Sequence, residues 1–246
     1  MKAMIFSAGL GTRFKPWTDQ HPKALALVNG KSLLQRNVEY LQQYGIRDII
    51  VNVHHFPDQV IDAIEKSKGW GSTIFISDES DEVLETGGGL LKARNLFTPG
   101  EKFITCNVDI LTDLDIGRLI FFHVQKKALI TFGVTGRQTS RYLLFNGENR
   151  LAGWENTETG ALRMVRNIPE NEERGLMRKA YSCVVVFEYE VFRLIAEYGF
   201  SGKFSLIDVY LALAADHRIL GYDHTGDRFV DAGKPESIQI AESVFP

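Results

Sequence analysis

A glycine-containing loop near the start of the chain carries residue types that bind phosphate. The run from Lys2 to Ser7 is short and apolar, which is typical of a buried strand, and Gly9 and Gly11 follow it. Glycines in such a place let backbone N–H groups approach phosphate oxygens. Arg13 adds a rigid fork of donors and Lys23 adds a point charge. The pattern predicts an anion-binding loop, and its spacing matches neither the dinucleotide fingerprint nor the Walker loop.

Two aspartates follow apolar runs in a similar way. Asp109 comes directly after the run Lys102–Val108, and Asp231 comes directly after Phe229-Val230. An aspartate in such a place is more often a helix cap or a turn residue than a ligand, so each of them taken alone leaves both interpretations open. Asp115, which precedes the next amphipathic segment, is interpreted as a helix cap.

Strand-like and helix-like segments alternate through the first half of the chain. Short apolar runs between glycines or polar residues predict strands, and apolar residues three and four apart predict helices. The predicted strands are residues 2–7, 48–53, 73–76 and 102–108, and the predicted helices begin near Ser32, Pro57, Thr86 and Asp115. This order predicts a doubly wound, mostly parallel α/β sheet, with ligands bound at the edge where its strands end.

The rhythm changes in the second half of the chain. Tyr142–Phe145 and Leu151–Trp154 flank Asn146-Gly147, which predicts a β-hairpin. The remaining predicted elements are strands at Ala180–Phe187 and near Ile219, and helices from Ser205 and after Gly233. Residues 156–178 are polar and charged and predict a long loop or flap. We therefore expect a single α/β domain over residues 1–246, with antiparallel strands added in its second half.

Composition limits the partners and the compartment. The chain has 28 Lys and Arg residues against 31 Asp and Glu residues, so binding to nucleic acid through overall charge is not expected. The two cysteines, Cys106 and Cys183, lie in apolar runs, which excludes a disulfide framework and suits a reducing compartment. No apolar run reaches the roughly 18 residues of a membrane span, and the first residues lack the pattern of a secretory signal. We expect a cytoplasmic protein with no membrane partner.

Four motifs resemble those of the sugar-1-phosphate nucleotidyltransferases. The first motif is Gly9-Leu10-Gly11-Thr12-Arg13 with Pro16 and Thr18, followed by Pro22-Lys23. The other three motifs are, in chain order, Leu84–Gly89, Asn107–Asp109 and Val230–Glu236. The Glu-Thr-Gly-Gly-Gly form of the second motif and the chain length resemble the branch that acts on N-acetylmuramate, mannose or heptose 1-phosphates.

The resemblance implies a reaction, two substrates and a metal ion. A sugar 1-phosphate oxygen attacks the α-phosphorus of a nucleoside triphosphate, which gives an NDP-sugar and pyrophosphate with Mg²⁺ as cofactor. Since a phosphate with a pKa of about 6 is already ionised at neutral pH, the nucleophile needs no general base, and the protein must position and neutralise two anions.

The resemblance also implies roles for particular residues. The implied catalytic residues are Arg13, on the β- and γ-phosphates, and Lys23, between the phosphates of the two substrates. Asp109 and Asp231 are the implied Mg²⁺ ligands. The implied nucleotide contacts are Ala8, Gly9, Gly11, Thr12, Glu85, Thr86, Gly87 and Gly88. The nucleotide-binding half then covers about residues 1–126 and the sugar-binding half about residues 127–246.

The base, the sugar and the oligomeric state stay open. A carboxylate such as Glu79 or Glu85 suits a guanine edge as well as the N3–H of uracil, so it does not distinguish GTP from UTP. CTP also stays open. Relatives commonly have glycine where this chain has Val108, and often have glycine in the strand that here contains Ser182-Cys183. Lys203 is either a contact to the sugar phosphate or a surface lysine.

Two other functions share part of this pattern. A phosphocholine cytidylyltransferase shares much of the opening motif and needs an aromatic cage for a quaternary ammonium, for which Tyr142, Trp154 and Tyr181 are available. A non-catalytic protein that senses a nucleotide or an NDP-sugar is expected to lose the phosphate or metal ligands, whereas this chain keeps all of them. The resemblance therefore favours the transferase.

Overall fold

Strands and helices alternate in the computed structural model, which describes residues 1–166 and 175–246. The strands are β1 (Ala3–Phe6), β2 (Leu27–Val28), β3 (Lys31–Ser32), β4 (Asp48–Val53), β5 (Thr73–Asp78), β6 (Phe103–Asn107), β7 (Ile110–Thr112), β8 (Ile130–Thr135), β9 (Arg141–Phe145), β10 (Leu151–Asn156), β11 (Ala161–Met164), β12 (Met177–Phe187), β13 (Ile219–Asp223) and β14 (Phe229–Asp231). The helices are α1 (Leu33–Gln43), α2 (Pro57–Lys66), α3 (Glu85–Lys92), α4 (Ile116–Lys126), α5 (Val191–Glu197), α6 (Leu206–Leu213) and α7 (Glu236–Val244).

The main sheet has a parallel part and an antiparallel part. Its strand order is β11-β10-β9-β12-β6-β1-β4-β5, and β8 pairs with both β12 and β13. β1 is parallel to β4 and β6, and β4 is parallel to β5. β12 is antiparallel to β6, β8 and β9, and β10 and β11 extend the sheet in antiparallel fashion. This arrangement confirms the predicted fold class, a mostly parallel α/β sheet with antiparallel strands added in the second half.

Two buried cores lie on the two faces of this sheet. Ala3 and Ile5 of β1 belong to one core together with Leu34 of α1, whereas Met4 belongs to the other core together with Phe103. Successive side chains of a strand point to opposite faces, so a strand covered on both faces needs apolar residues throughout. Burial on both faces therefore explains the short continuous apolar runs that predicted the parallel strands.

Side chains cap two helices at their predicted starts. Ser32 Oγ accepts a hydrogen bond from Gln35 N at 3.0 Å, and Asp115 Oδ1 accepts one from Arg118 N at 3.0 Å. Each satisfies an N–H group that the helix itself leaves unpaired. The interpretation of Asp115 as a helix cap is therefore confirmed. Among the helices of the described residues, none combines the length and apolar character that a membrane span requires.

The prediction of a long loop over residues 156–178 was wrong in part. Residues 161–164 form β11, antiparallel to β10, and residues 177 and 178 already belong to β12. Asn156 Oδ1 accepts a hydrogen bond from Glu158 N at 3.0 Å in the turn between β10 and β11. As an edge strand, β11 is largely exposed on both faces, so it lacks the apolar alternation that marks a half-buried strand. Residues 167–174 lie outside the described residues.

His123 is a titratable group on the buried face of α4. Its side chain is fully buried, with Nδ1 2.8 Å from Thr131 Oγ1 and Nε2 3.2 Å from Glu188 Oε1. Burial lowers the pKa of His123 below its usual 6.5, although the Glu188 carboxylate acts in the opposite direction. The folded chain therefore takes up this proton less readily than the unfolded chain.

Acid is expected to destabilise the protein through His123. Above about pH 6.5 the imidazole is neutral in both states, and below it the unfolded chain binds the proton first, so the free energy of unfolding falls as the pH falls. Denaturant unfolding at about pH 7.5 and about pH 5.5 should show a smaller decrease for His123→Gln than for the wild type. The same decrease in both proteins would contradict this assignment.

Candidate active site

The predicted phosphate loop folds around Gly11. This residue has a φ of +61°, and its carbonyl oxygen accepts hydrogen bonds from Phe14 N at 2.8 Å and from Thr18 Oγ1 at 2.9 Å. A Cβ atom at this position would lie 2.9 Å from Thr18 Cγ2 and 3.2 Å from Lys23 Cβ. Both the backbone conformation and the close packing therefore require glycine, and the same packing holds Lys23 against the loop.

Lys23 and Asp109 form a nearly buried ion pair. Lys23 Nζ lies 2.5 Å from Asp109 Oδ2, and the two side chains are 14% and 11% exposed. Asp109 follows β6, and the preceding carbonyl, that of Val108, accepts a hydrogen bond at 2.9 Å from Nδ2 of the buried Asn37. Because water screens both charges weakly at this place, each of them interacts strongly with a charged ligand that approaches.

Asp231 reaches the same place from the other end of the chain. β14 pairs antiparallel with β7, and Ala232 N donates a hydrogen bond to the Asp109 carbonyl oxygen at 2.8 Å. Asp231 Oδ1 accepts a hydrogen bond from Gly233 N at 2.9 Å. A Cβ atom at Gly233 would lie 2.5 Å from Arg13 Nη2 and 2.6 Å from Asp231 Oδ1. Glycine therefore lets the guanidinium approach the carboxylate, and the four charged residues predicted for catalysis and metal binding lie together.

A pocket of about 160 Å³ opens beside Lys23 and Asp109 where β1, β4, β5 and β6 end. Its lining residues are Phe6, Ser7, Ala8, Gly9, Lys23, Asn52, Glu79, Val83, Glu85, Thr86, Asn107, Val108 and Asp109. Four of the predicted nucleotide contacts are in this lining, and the other four, at positions 11, 12, 87 and 88, are not. A larger, more apolar cavity of about 720 Å³ lies between the phosphate loop and α7 and contains none of the predicted site residues.

Asn52 connects the strand ends that form the pocket. Its Oδ1 accepts a hydrogen bond from Ser7 N at 2.6 Å, and its Nδ2 donates to Glu79 Oε1 at 2.7 Å. Glu79 is fully buried, and its second carboxylate oxygen accepts a hydrogen bond from Leu84 N at 3.4 Å. Burial raises the pKa of Glu79, and these hydrogen bonds oppose the shift. Glu79 therefore supports the pocket wall, whereas Glu85 is the exposed carboxylate of the lining and has a φ of +58°.

Gly87 and Gly88 are close-packing positions at the start of α3. Their N–H groups donate to the Phe204 carbonyl oxygen at 2.9 Å and 3.3 Å. A Cβ atom at Gly88 would lie 2.2 Å from the Gly202 carbonyl oxygen, which no rearrangement of a side chain would relieve. These two predicted nucleotide contacts therefore hold α3 against the chain before α6, and their N–H groups are satisfied within the protein.

β12 is irregular next to the two aspartates. Its register against β8 shifts there, and Cys183 has a φ of +56°. Burial and, after it, the negative charges of Asp109 and Asp231 raise the pKa of the Cys183 thiol. Behind it, the hydroxyl oxygen of the fully buried Ser182 lies 2.7 Å from His224 Nε2. Because the Ser182 side chain has no exposed surface, it cannot contact a substrate. Its hydrogen bond with His224 instead supports the irregular part of β12.

The rings of Tyr142, Trp154 and Tyr181, the three aromatic residues available for an ammonium cage, do not pack together as one cluster. The Tyr181 ring packs edge-on against Tyr210, and Trp154 packs against the same core. Within the part of the chain that the structure describes, no ring contact joins Tyr142 or Trp154 to Tyr181. This arrangement does not favour phosphocholine as the acceptor.

Lys203, which the sequence leaves open as a contact to the sugar phosphate or a surface lysine, is exposed.

The carboxylates at the strand ends fit Mg²⁺. One oxygen of Asp109 is engaged by Lys23 and one oxygen of Asp231 by Gly233, so each carboxylate has a second oxygen to offer. Mg²⁺ commonly takes one or two carboxylates and completes its shell with water and phosphate oxygens. In residues 1–166 and 175–246, no group of three or more His, Cys, Asp or Glu residues suits a metal ion. A bound Mg²⁺ at Asp109 and Asp231 would therefore share its shell with phosphate oxygens of a substrate.

Three residues near the site lie outside the sequence motifs: Asn37, Asn52 and Arg137. Asn37 and Asn52 are buried. The Asn37 amide forms a hydrogen bond with Val108, and the Asn52 amide forms hydrogen bonds with Ser7 and Glu79. The available signal was a polar residue inside an otherwise apolar segment, as in Asp-Ile-Ile-Val-Asn-Val, because a buried amide needs partners. Arg137 follows β8 and gave no sequence signal of its own.

Known proteins are similar to this chain in sequence and in fold. N-acetylmuramate alpha-1-phosphate uridylyltransferase of Caulobacter vibrioides is 29% identical over 243 residues, which cover 98% of this chain and 95% of that protein. The protein of the same name from Neisseria meningitidis serogroup B is 40% identical over 115 residues, 47% of this chain and 49% of that protein. The structure of HddC from Yersinia pseudotuberculosis complexed with GMP-PN has a TM-score of 0.77 at 22% identity and covers 100% of this chain and 99% of that chain.

A family model of known proteins also matches this chain. The model described as "Nucleotidyl transferase" matches residues 2–145, more than half of the chain, and this range includes the first three sequence motifs. The resemblance predicted from those motifs is confirmed. The chain belongs to the nucleotidyl transferase family.

Proposed function

We propose that this protein transfers a nucleotidyl group from a nucleoside triphosphate to a sugar 1-phosphate and releases pyrophosphate. The observation that supports it best is the convergence of Lys23 with Asp109, and of Arg13 with Asp231, beside a pocket at the ends of four strands. Two cations and two carboxylates in such a place suit two phosphorylated substrates and Mg²⁺.

The reaction brings two anions together, and the charged residues reduce their repulsion. An oxygen of the sugar phosphate forms a bond to the α-phosphorus, and the bond from that phosphorus to the departing pyrophosphate breaks. Since the acceptor phosphate is already ionised near neutral pH, no residue has to remove a proton. Lys23 would exchange Asp109 for phosphate oxygens of both substrates, and Arg13 would bind the pyrophosphate. Asp109 and Asp231 would hold Mg²⁺, which would supply further neutralisation and would help to orient the phosphate oxygens.

The two halves of the chain take different substrates in this proposal. The pocket beside Lys23 is formed by the first half, about residues 1–126, and would take the nucleotide. The irregular part of β12 at Cys183 belongs to the second half, about residues 127–246, and would face the sugar phosphate. We propose that both halves form one domain, because β6 of the first half and β12 of the second pair in a single sheet.

The relatives indicate which substrates to test first. The match to the Caulobacter vibrioides protein spans nearly the whole of both chains, and that protein is an N-acetylmuramate alpha-1-phosphate uridylyltransferase. UTP with N-acetylmuramate 1-phosphate is therefore the first pair. Mannose-1-phosphate guanylyltransferases match about half of this chain, so GTP with mannose 1-phosphate is the second.

Pyrophosphate release in the presence of Mg²⁺ tests the proposal. UTP, GTP, CTP and dTTP are each combined with N-acetylmuramate, mannose, heptose and glucose 1-phosphates and with phosphocholine. At least one sugar phosphate should give turnover, and EDTA should abolish it. Turnover with phosphocholine alone would support a cytidylyltransferase instead. Nucleotide binding without release from any pair would support the non-catalytic alternative and contradict the proposal.

A further inference from the structure

Arg137 is held in a fixed position just after β8. Its Nη2 donates a hydrogen bond to the Tyr181 carbonyl oxygen on β12 at 3.0 Å. Its guanidinium carbon lies 4.4 Å from the centre of the Phe229 ring on β14. The side chain is thus fixed between two strands by a hydrogen bond and a cation–π contact, and its planar guanidinium suits such stacking.

The Arg137 guanidinium forms no ion pair with any carboxylate in the described part of the chain. Arg137 Nε is buried and has no hydrogen-bond partner, and no carboxylate of residues 1–166 and 175–246 forms an ion pair with the guanidinium. A guanidinium has five N–H donors, of which Tyr181 takes one. Burying a charge without a partner is costly, so an anion that reaches this guanidinium would be bound with a favourable change in free energy.

Arg137 lies near the candidate metal ligand Asp231, on the side away from the nucleotide pocket. Phe229, under the guanidinium, and Asp231 are two residues apart on β14, so their side chains share one face of the strand. Asp231 is near enough for its negative charge to act on the Arg137 guanidinium. The pocket at the ends of β1, β4, β5 and β6 lies on the other side, because β12 and β8 follow beyond β6 in the sheet.

We propose that Arg137 binds an anionic group of the acceptor, either the phosphate of the sugar 1-phosphate or a carboxylate carried by the sugar. The inference rests on the proposed function, since it assigns a residue to the acceptor of that reaction. It makes Arg137 a determinant of acceptor specificity, because a neutral residue there would leave the acceptor's anion without this partner. The Tyr181 and Phe229 contacts then serve to hold the guanidinium in place before the acceptor arrives.

Steady-state kinetics of Arg137→Met and Arg137→Lys test the assignment, with the substrates that the wild type accepts. Loss of a charge-assisted hydrogen bond should raise the KM for the acceptor at least about tenfold in Arg137→Met. The KM for the nucleotide should change much less, and Arg137→Lys should keep part of the affinity because the charge remains. Arg141→Met is the matched control, since Arg141 is an exposed arginine at the start of β9.

A merely structural role for Arg137 gives a different result. If the side chain only joins β12 to β14, Arg137→Met should lower the Tm and affect the kinetics of both substrates alike, with no separate rise in the KM for the acceptor. That outcome, or an unchanged KM for the acceptor, would overturn the inference and leave the proposed function intact. Absence of wild-type turnover with every pair would instead contradict the proposed function itself.

Binding of two different acceptors distinguishes whether Arg137 contacts the phosphate or a carboxylate of the sugar. N-acetylmuramate 1-phosphate has a carboxylate that N-acetylglucosamine 1-phosphate lacks, and both have the phosphate. Calorimetric titration of each into the enzyme saturated with a non-hydrolysable nucleotide and Mg²⁺ measures binding without turnover. Weaker binding of both to Arg137→Met than to the wild type would assign Arg137 to the phosphate. Weaker binding of the first alone would assign it to the carboxylate, and no change in either would contradict the proposal.

Discussion

Lys23→Met is expected to lower kcat at least about 10²-fold, which is the scale of losing one major electrostatic contributor to a transition state. Lys23 Nζ lies 2.5 Å from Asp109 Oδ2, and the lysine side chain is only 14% exposed. Because water screens this place weakly, loss of the ammonium should leave a large uncompensated repulsion when two phosphorylated substrates meet. Methionine keeps most of the apolar stem of lysine, so the packing against Gly11 is retained. Initial rates at saturating substrate measure the effect.

Loss of stability must be separated from loss of chemistry in this variant. The Asp109 carboxylate, which is 11% exposed beside Lys23, loses its partner in this variant, so the free energy of unfolding should fall. The double variant Lys23→Met/Asp109→Asn removes the unpaired charge and should regain stability without regaining turnover. Lys66→Met, at a lysine that is 80% exposed, is the matched control. Near-normal kcat in Lys23→Met, or recovery of kcat in the double variant, would contradict the role of Lys23.

The parallel half of the sheet was predictable because both of its faces are covered. Its strands are short apolar runs, and the prediction placed Asp48–Val53 with the bounds that the structure has. β8 was not predicted, although it is fully buried, because Gly133 interrupts its apolar run. A Cβ atom at Gly133 would lie 2.9 Å from Leu114 Cδ2, so the interruption has a packing cause. That contact joins residues far apart in sequence and leaves no local pattern.

Some features of the candidate site were predictable from local sequence, whereas others depend on contacts between residues far apart in the chain. Arg13 and Lys23 belong to one continuous loop, so residue types and spacing were sufficient to single them out. The pairing of Lys23 with Asp109 joins residues 86 positions apart, and only the fold reveals it. Arg137 is recognised by what surrounds it, a ring of β14 and a carbonyl of β12, and neither is near it in the sequence. Linear motifs therefore identify Arg13 and Lys23, whereas the surroundings of Arg137 are visible only in the fold.

Asp231→Asn is expected to lower kcat at least about 10²-fold while leaving the fold intact. Asp231 Oδ1 accepts the hydrogen bond from Gly233 N, and the amide oxygen of asparagine can accept the same bond. What asparagine removes is the negative charge that would hold Mg²⁺ and that faces the Arg13 guanidinium across Gly233. The variant therefore separates the electrostatic contribution of this carboxylate from its place in the turn.

The measurement for Asp231→Asn combines turnover with dependence on the metal ion. Unfolding should occur at nearly the wild-type Tm, kcat should fall, and the Mg²⁺ concentration for half-maximal rate should rise. Asp115→Asn is the matched control, because asparagine caps a helix about as well as aspartate and the N–H of Arg118 keeps its acceptor. A normal kcat with a normal Mg²⁺ dependence in Asp231→Asn would remove this residue from the metal site and leave Asp109 as the carboxylate beside Lys23. A Mg²⁺ ion could still be held there, since this ion is bound through as few as one carboxylate when substrate phosphates complete its shell.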